Sequence, residues 1–507
     1  MSRSQNSAKN IFFGYIGNIV ITILGFVLRT VFIYKLGKTL LGVNGLYTNI
    51  LSVLSLADLG LGTAMNFSLY DPVAKKDYKR ITIYMSLFKK AYRYIAAVVA
   101  VLGLLLVPFL QYIIKDPGDI GIGELRLYYV IFLVNIVSTY FVAYKYSLVN
   151  AEQKGYIQTN ILTITKFITV SLQIVVLLSG FGFTVYLLTQ MSVELVQKLF
   201  VSIYLDRKYP YLLDKPEGEL PEKDKREIVK NVKALLLHKI GDIARFQTDN
   251  IIISAFISIS LVGMVDNYVL VTTSVSGFVN ILFNSVIASL GNLIATENKE
   301  KQYQVFKAYR FMGAWIYGFS AVGYFVLLTP LISLLWGNDY ALGIGAVGFF
   351  LLDYYFKGFR IVLTNFKTAA GIFDEDKYIA LIQGVINLVI SIVLVQKLGL
   401  IGVYIGTVVS GLIANVVKPS IIYKKCFDRK VSEYYRDSLV YILISAVSIA
   451  IVLGFNTLIA TDNWLGFAIM AILITVVFNG LFIILFHRTD EFRYLLDKVK
   501  QMAHRNK

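Results

Sequence analysis

Apolar stretches of about 20 residues, each long enough to cross a ~30 Å hydrocarbon core, recur from residue 11 to residue 486. In lipid a segment must satisfy its own backbone N–H and C=O groups, so such runs have to be helices. The pattern predicts helices over 11–36, 41–66, 84–113, 124–150, 157–179, 182–205, 231–258 and 262–294. Six more follow over 308–335, 341–371, 377–396, 400–423, 437–459 and 464–486. The fold class is therefore all-α integral membrane, with about fourteen spans. Hydrophobic content of 57% and a mean hydropathy of +0.66 exclude an ordinary soluble domain.

A net charge of +17 first suggests a nucleic-acid partner, but the cations sort by loop. Placing the N-terminus in the cytoplasm puts Lys75, Lys76, Lys79, Arg80, Lys154, Arg207, Lys208, Lys223, Lys225 and Arg226 inside. Lys299, Lys301, Lys424, Lys425, Arg429 and Lys430 follow them. The opposite loops hold little beyond Lys38, Lys115 and Lys397. This is the positive-inside asymmetry. It predicts both termini in the cytoplasm and makes anionic lipids, not nucleic acid, the partner of the charge. Cys426 is the single cysteine and is expected in a cytoplasmic loop, so no intrachain disulfide can form. The first apolar segment contains Arg29 and lacks a small-residue cleavage site, as a retained helix would.

Two halves are suggested by an internal similarity. LLGVNGLYTNILSVLS (40–55) aligns without gaps to LVGMVDNYVLVTTSVS (261–276), setting Gly42 on Gly263 and Tyr47 on Tyr268. In the preceding helices Asn18, Thr22, Gly25 and Arg29 have the spacing of His238, Asp242, Arg245 and Asp249. The expected organisation is a six-helix lobe (1–205), a cytoplasmic linker (206–230), a second six-helix lobe (231–424), a further helix pair (425–486) and an amphipathic basic tail (487–507). Pro108 and Pro330 interrupt helices at equivalent places and are read as tolerated kinks.

Charged residues at membrane depth carry the functional signal. Asp353, Lys357, Arg360, Thr364 and Lys367 follow one helical stripe at i, i+4, i+7, i+11 and i+14. A charge at the bilayer centre costs about 2.5–3.5 kcal/mol even on lenient insertion scales, so this face is expected to line a water- or ligand-filled cavity. Arg29, Lys145, Lys166 and Arg245 are further cations at depth. Together with Lys357, Arg360 and Lys367 they are the candidate substrate-binding residues, and their sign favours an anionic substrate. Asp58, Glu194, Asp242, Asp249 and Asp353 are the candidates to couple transport to H⁺ or Na⁺. For the carboxylates a buried ion pair between helices is the competing reading.

Enzyme signals are poor. There is no Gly-rich phosphate loop before a Lys-Ser/Thr pair, and His238, His487 and His504 are dispersed, so no metal or His-based site is expected. The run Asp374-Glu375-Asp376 reads as a solvated turn. The expectation is no catalytic residue, no cofactor and a protein that is not an enzyme.

The runs TDNIIISAFISISLVGMVDNYVL (248–270), RKYPYL (207–212), FKGFRIVLTNFKTAAGIFDEDKY (356–378) and KLGLIGVYIGTVVS (397–410) resemble the Wzx-type polysaccharide flippases. That superfamily also holds the MATE drug exporters and the lipid II flippase MurJ. The resemblance implies two six-helix lobes in a V around a central cavity, plus two C-terminal helices. It implies movement of an undecaprenyl-diphosphate-linked oligosaccharide across the bacterial plasma membrane by alternating access. A polysaccharide polymerase is then an expected partner. Arg29 matches the position of cavity arginines in the lipid II branch, whereas other early cavity charges of that branch are missing here. A cation-coupled MATE-type exporter, which should favour acidic residues at depth, is the alternative. An integral membrane glycosyltransferase or polymerase is the other; it would need catalytic carboxylates.

Overall fold

The computed structural model describes residues 3–55, 61–216, 247–372, 378–456 and 458–505, with Glu375 and scattered positions between 218 and 243. No β-strand occurs among them. The helices are α1 (Arg3–Leu54), α2 (Leu61–Lys75), α3 (Tyr78–Leu106), α4 (Leu110–Ile113), α5 (Ile122–Ala151), α6 (Tyr156–Leu178), α7 (Phe183–Lys208), α8 (Asp249–Phe256) and α9 (Ile259–Ser285). They continue with α10 (Ile287–Thr296), α11 (Lys299–Trp336), α12 (Ile344–Ala369), α13 (Ile379–Leu398), α14 (Leu400–Ile422), α15 (Ser432–Asn456), α16 (Trp464–Phe486) and α17 (Asp490–Arg505). Among the described residues ten helical segments are long and apolar enough to span a membrane. One of them, Phe13–Leu54, contains two helices bent at Gly37, whose φ of 77° suits glycine. The charged α7 and α12 match the length of a span but are absent from those ten. The protein is a multi-pass membrane protein.

Boundaries follow local chemistry. Asp77 caps α3 by accepting from Arg80 N at 3.0 Å, and Asn298 caps α11 through Lys301 N at 2.9 Å. Pro108 lies in a 3₁₀ turn after α3, whereas Pro330 is carried inside the continuous α11. The helix of α14 runs on through a π turn, Tyr423–Phe427, that buries Cys426. The cysteine is thus packed in a helix end and not in the loop that the sequence suggested.

The chain divides into two compact units, 1–263 and 264–507. In the first, α1 packs on α6, and α5 packs on α2, α3 and α7. Its loops sort by end. Arg80 pairs with Asp224 at 2.7 Å, Tyr209 OH donates to Glu152 at 2.7 Å, and Lys145 meets Asp206, so Arg80, Lys145, Glu152, Asp206, Tyr209 and Asp224 lie at one end. At the other end Lys115 Nζ donates to Phe256 O at 2.9 Å, and Ser254 Oγ to Ile113 O at 2.9 Å. There too Thr39 Oγ1 and Ser260 Oγ stand 2.9 Å apart, 221 residues from each other in sequence. A Cβ on Gly42 would overlap the Ile259 carbonyl oxygen, and one on Gly263 that of Lys38. The backbones therefore touch directly.

In the second unit α12 packs on α11 and α14, and α13 pairs with α14. An aromatic core of Phe306, Phe366, Tyr423 and Phe427, with ring centroids 5.0–6.0 Å apart, closes one end. Arg310, 3% exposed, donates to Tyr434 O at 2.5 Å and Ser438 Oγ at 2.8 Å, pairs with Asp437 at 3.3 Å, and lies 4.0 Å over the Tyr434 ring. It fastens α11 to α15. The loops here also gather: Arg429 pairs with Glu300 at 2.6 Å, and Lys425 pairs with Glu375 and holds that carboxyl below its usual range. Helix α17 is amphipathic and returns to α11 through Lys307–Glu491 at 3.0 Å and the stacking of Phe492 on Trp315.

Candidate functional site

A cavity of about 630 Å³ opens within the first unit. On α5 its wall is Thr139, Ala143, Tyr146, Ser147 and Asn150, and on α6 it is Gln158, Leu162, Thr165, Lys166 and Thr169. Both sets step i, i+4, i+7, i+8, i+11, so each helix turns one polar face inward. Glu194, Gln197 and Lys198 add the matching face of α7, and Ile21, Asn66 and Tyr92 complete the wall from α1, α2 and α3. The side chains are mainly amides and hydroxyls, an unusual lining at membrane depth unless water or a polar ligand enters.

Three charges reach this space. Glu194 accepts from Asn135 Nδ2 at 2.8 Å and from Gln190 Nε2 at 3.0 Å. Lys198 donates to Asn135 O, Asn135 Oδ1 and Ser138 Oγ, each at 2.8 Å, and stands 3.9 Å from Glu194. Lys166 makes no hydrogen bond or ion pair among the described residues, although Glu194 is close enough to act on it electrostatically. Two buried oxygens of the wall, Asn66 Oδ1 and Thr169 Oγ1, also lack hydrogen-bond partners among the described residues. A buried acceptor without a partner costs about 1–3 kcal/mol, which a ligand or water donor would relieve. The cavity therefore offers one available ammonium, several amide and hydroxyl groups, and one carboxylate already bonded.

The residues singled out by sequence fall in different places. Lys166 and Glu194 line the cavity. Lys145 does not: its ammonium turns to Asp206 at 2.7 Å and Ser202 Oγ at 2.8 Å and is 5% exposed, a tie between α5 and α7. Arg29 is half-buried on α1 within electrostatic reach of Tyr186. Asp249 is half-buried in the first turn of α8, where a helix N-terminus favours an anion. In the second unit Arg360 Nη2 pairs with Asp353 Oδ1 at 2.8 Å, while its Nη1 is buried without a hydrogen-bond partner among the described residues. Lys367 is buried and Lys357 half-buried on the same helix, and Lys418 Nζ donates to Thr364 Oγ1 at 2.9 Å. Asp58, Asp242 and Arg245 lie outside the described residues, as does His238. Lys198 and Arg310 were missed by sequence reasoning. The first was legible as the i+4 partner of Glu194; the second had no local signal, since its acceptors lie on α15.

No family model matches the chain, and no curated protein matches it in sequence. Solved structures do. The lipid II flippase MurJ in an inward closed conformation matches with a TM-score of 0.68 at 15% identity, over 94% of this chain and 99% of that one. An inward-facing multidrug resistance MATE family transporter of the MOP superfamily gives 0.59 at 15% identity, over 78% of this chain and 92% of that one. A Vibrio cholerae MATE transporter gives 0.57 at 13% identity, over 84% and 99%. The chain has the fold of the MurJ and MATE transporters.

Proposed function

We propose that the protein is a flippase that carries an undecaprenyl-diphosphate-linked oligosaccharide across the bacterial plasma membrane, by alternating access, for surface polysaccharide biosynthesis. The observation that carries this reading is the available Lys166 ammonium in a cavity of amides and hydroxyls. A cation held at membrane depth without a hydrogen-bond partner is costly, and an anionic group on a ligand completes it with a charge-assisted hydrogen bond. Amide and hydroxyl side chains both donate and accept, as sugar hydroxyls require. The likeness of fold to a lipid II flippase supports the same class of cargo. Arg29 lies eight residues beyond Ile21 of the cavity wall, about 12 Å along α1, and is placed in this reading as a second anion contact.

The protein is read as a carrier, without catalytic residues or a bound cofactor. Both termini are cytoplasmic in this reading, anionic lipids meet the basic loops, and a polysaccharide polymerase receives the product. Coupling is to H⁺ or Na⁺ through a carboxylate at depth, with Glu194, Asp249 and Asp353 as the candidates.

The test is flux of a labelled polyprenyl-diphosphate oligosaccharide in reconstituted vesicles. Lys166→Ala should lower the rate by roughly 10- to 100-fold, the loss of one hydrogen bond to a charged group. Lys166→Arg should retain part of it. Wild-type flux in both Lys166→Ala and Arg29→Ala would overturn the reading. Accumulation of cationic drugs in the same vesicles would instead move the protein to the exporter class.

A further inference from the structure

Lys198 is held the way a bound metal ion is held. An ammonium has three protons and no more. All three are taken at 2.8 Å by Asn135 O, Asn135 Oδ1 and Ser138 Oγ. Beyond them the Glu194 carboxylate supplies the counter-charge at 3.9 Å. Asn135 organises this shell, since its Oδ1 faces Lys198 while its Nδ2 donates to Glu194 Oε2 at 2.8 Å. The four groups that the ammonium meets among the described residues are all oxygens, the ligand type that hard cations select. Lys198 and Glu194 also line the cavity, so the ammonium sits between a closed oxygen shell and an open space.

We propose that Asn135, Ser138 and Glu194 form a monovalent-cation site that the Lys198 ammonium occupies in this structure, and that Na⁺ takes when an anion in the cavity draws the ammonium away. Lys198 has a long, flexible stem and a compact charge, so it can leave without disturbing the helices. The exchange keeps one positive charge beside Glu194 in both states. The half-buried carboxylate, which also accepts from Asn135 and Gln190, keeps its counter-charge throughout. Arrival of an anionic ligand thus becomes uptake of a cation. That role in transport rests on the flippase reading; the cation site itself does not.

The experiment uses the purified full chain without substrate, so its outcome is separate from that of the flux assay. Thermal unfolding of wild type and Lys198→Met is compared in sodium, potassium and choline chloride at equal ionic strength. Lys198→Met should gain a sodium-specific rise in Tm of about 2 °C or more over any shift seen in wild type. The gain should vanish in Lys198→Met combined with Glu194→Gln. If Lys198→Met cannot be purified, Lys198→Gln keeps donors for Asn135 and Ser138 but no charge, and should show the same sodium dependence. A sodium response no greater than wild type in the variant that folds would overturn the site. So would stabilisation by acid in place of sodium.

Discussion

In the first unit Lys166 ends in a cavity and touches nothing that bonds it, whereas in the second Arg360 ends against Asp353 on its own helix. Both are cations at membrane depth, and both lie on polar stripes of nearly the same spacing. What differs is what the stripe meets. The face of α6 is matched by polar faces on α5 and α7, and three polar faces together leave an open polar space. The helix α12 packs on α11 and α14; Arg360 and Lys367 are buried on it, and Arg360 pairs with Asp353 of the same helix. Arg310 makes the same point in its extreme form, wrapped by Tyr434 and Tyr441 and fastened to α15. A charge in a membrane helix is thus a ligand site only when its neighbours leave it one.

This contrast can be broken by measuring stability instead of transport. Asp353→Asn removes the counter-charge of a guanidinium that is 8% exposed, and should cost about 3–5 kcal/mol, seen as a large fall in Tm or loss of folded protein. Replacing Asp353 and Arg360 together by apolar residues of similar volume should recover most of that loss; failure to recover would mean that the pair is not the cause. Lys307→Ala loosens the contact of α17 with α11. With Lys307 29% and Glu491 19% exposed, the expected cost is about 0.2–1 kcal/mol, read as faster proteolysis after residue 486. Lys166→Met comes last, with unchanged or slightly raised Tm, because it removes a half-buried charge at membrane depth that no described residue bonds. A marked fall in Tm for Lys166→Met would show that the cation is structural and erase the contrast.

The sequence discloses the helices well, for a physical reason. A 20-residue apolar run is a local property, and lipid permits it one structure. Predicted 124–150, 157–179 and 464–486 therefore meet observed helices 122–151, 156–178 and 464–486 within about two residues. Part of the site was legible in the same way: Lys166 stood out as the one charge of the apolar α6, and Glu194 as a carboxylate near the middle of α7. The fate of each charge was not legible. Lys145 is taken by Asp206, 61 positions away, and Arg310 by residues more than 120 positions away, and no local pattern encodes such partners. Cys426 misled for a related reason. Its flanking lysines suggest a loop, but the π turn carries the helix one step further and packs Phe427 against Phe306 and Phe366.

The touching glycines of the first unit should behave, genetically, as one locus written twice. Gly42 meets the backbone at Ile259 and Gly263, and Gly263 meets the backbone at Lys38 and Gly42, while Thr39 bonds Ser260 at the same offset of 221. Each residue faces its own counterpart, the self-complementary pattern found at the axis of a symmetric pair. A methyl group at either position opens the same seam. Gly42→Ala and Gly263→Ala should therefore be strongly epistatic: the second substitution finds the contact already lost, and the double variant is little worse than either single one. Neither position can vary unless the other has already made room.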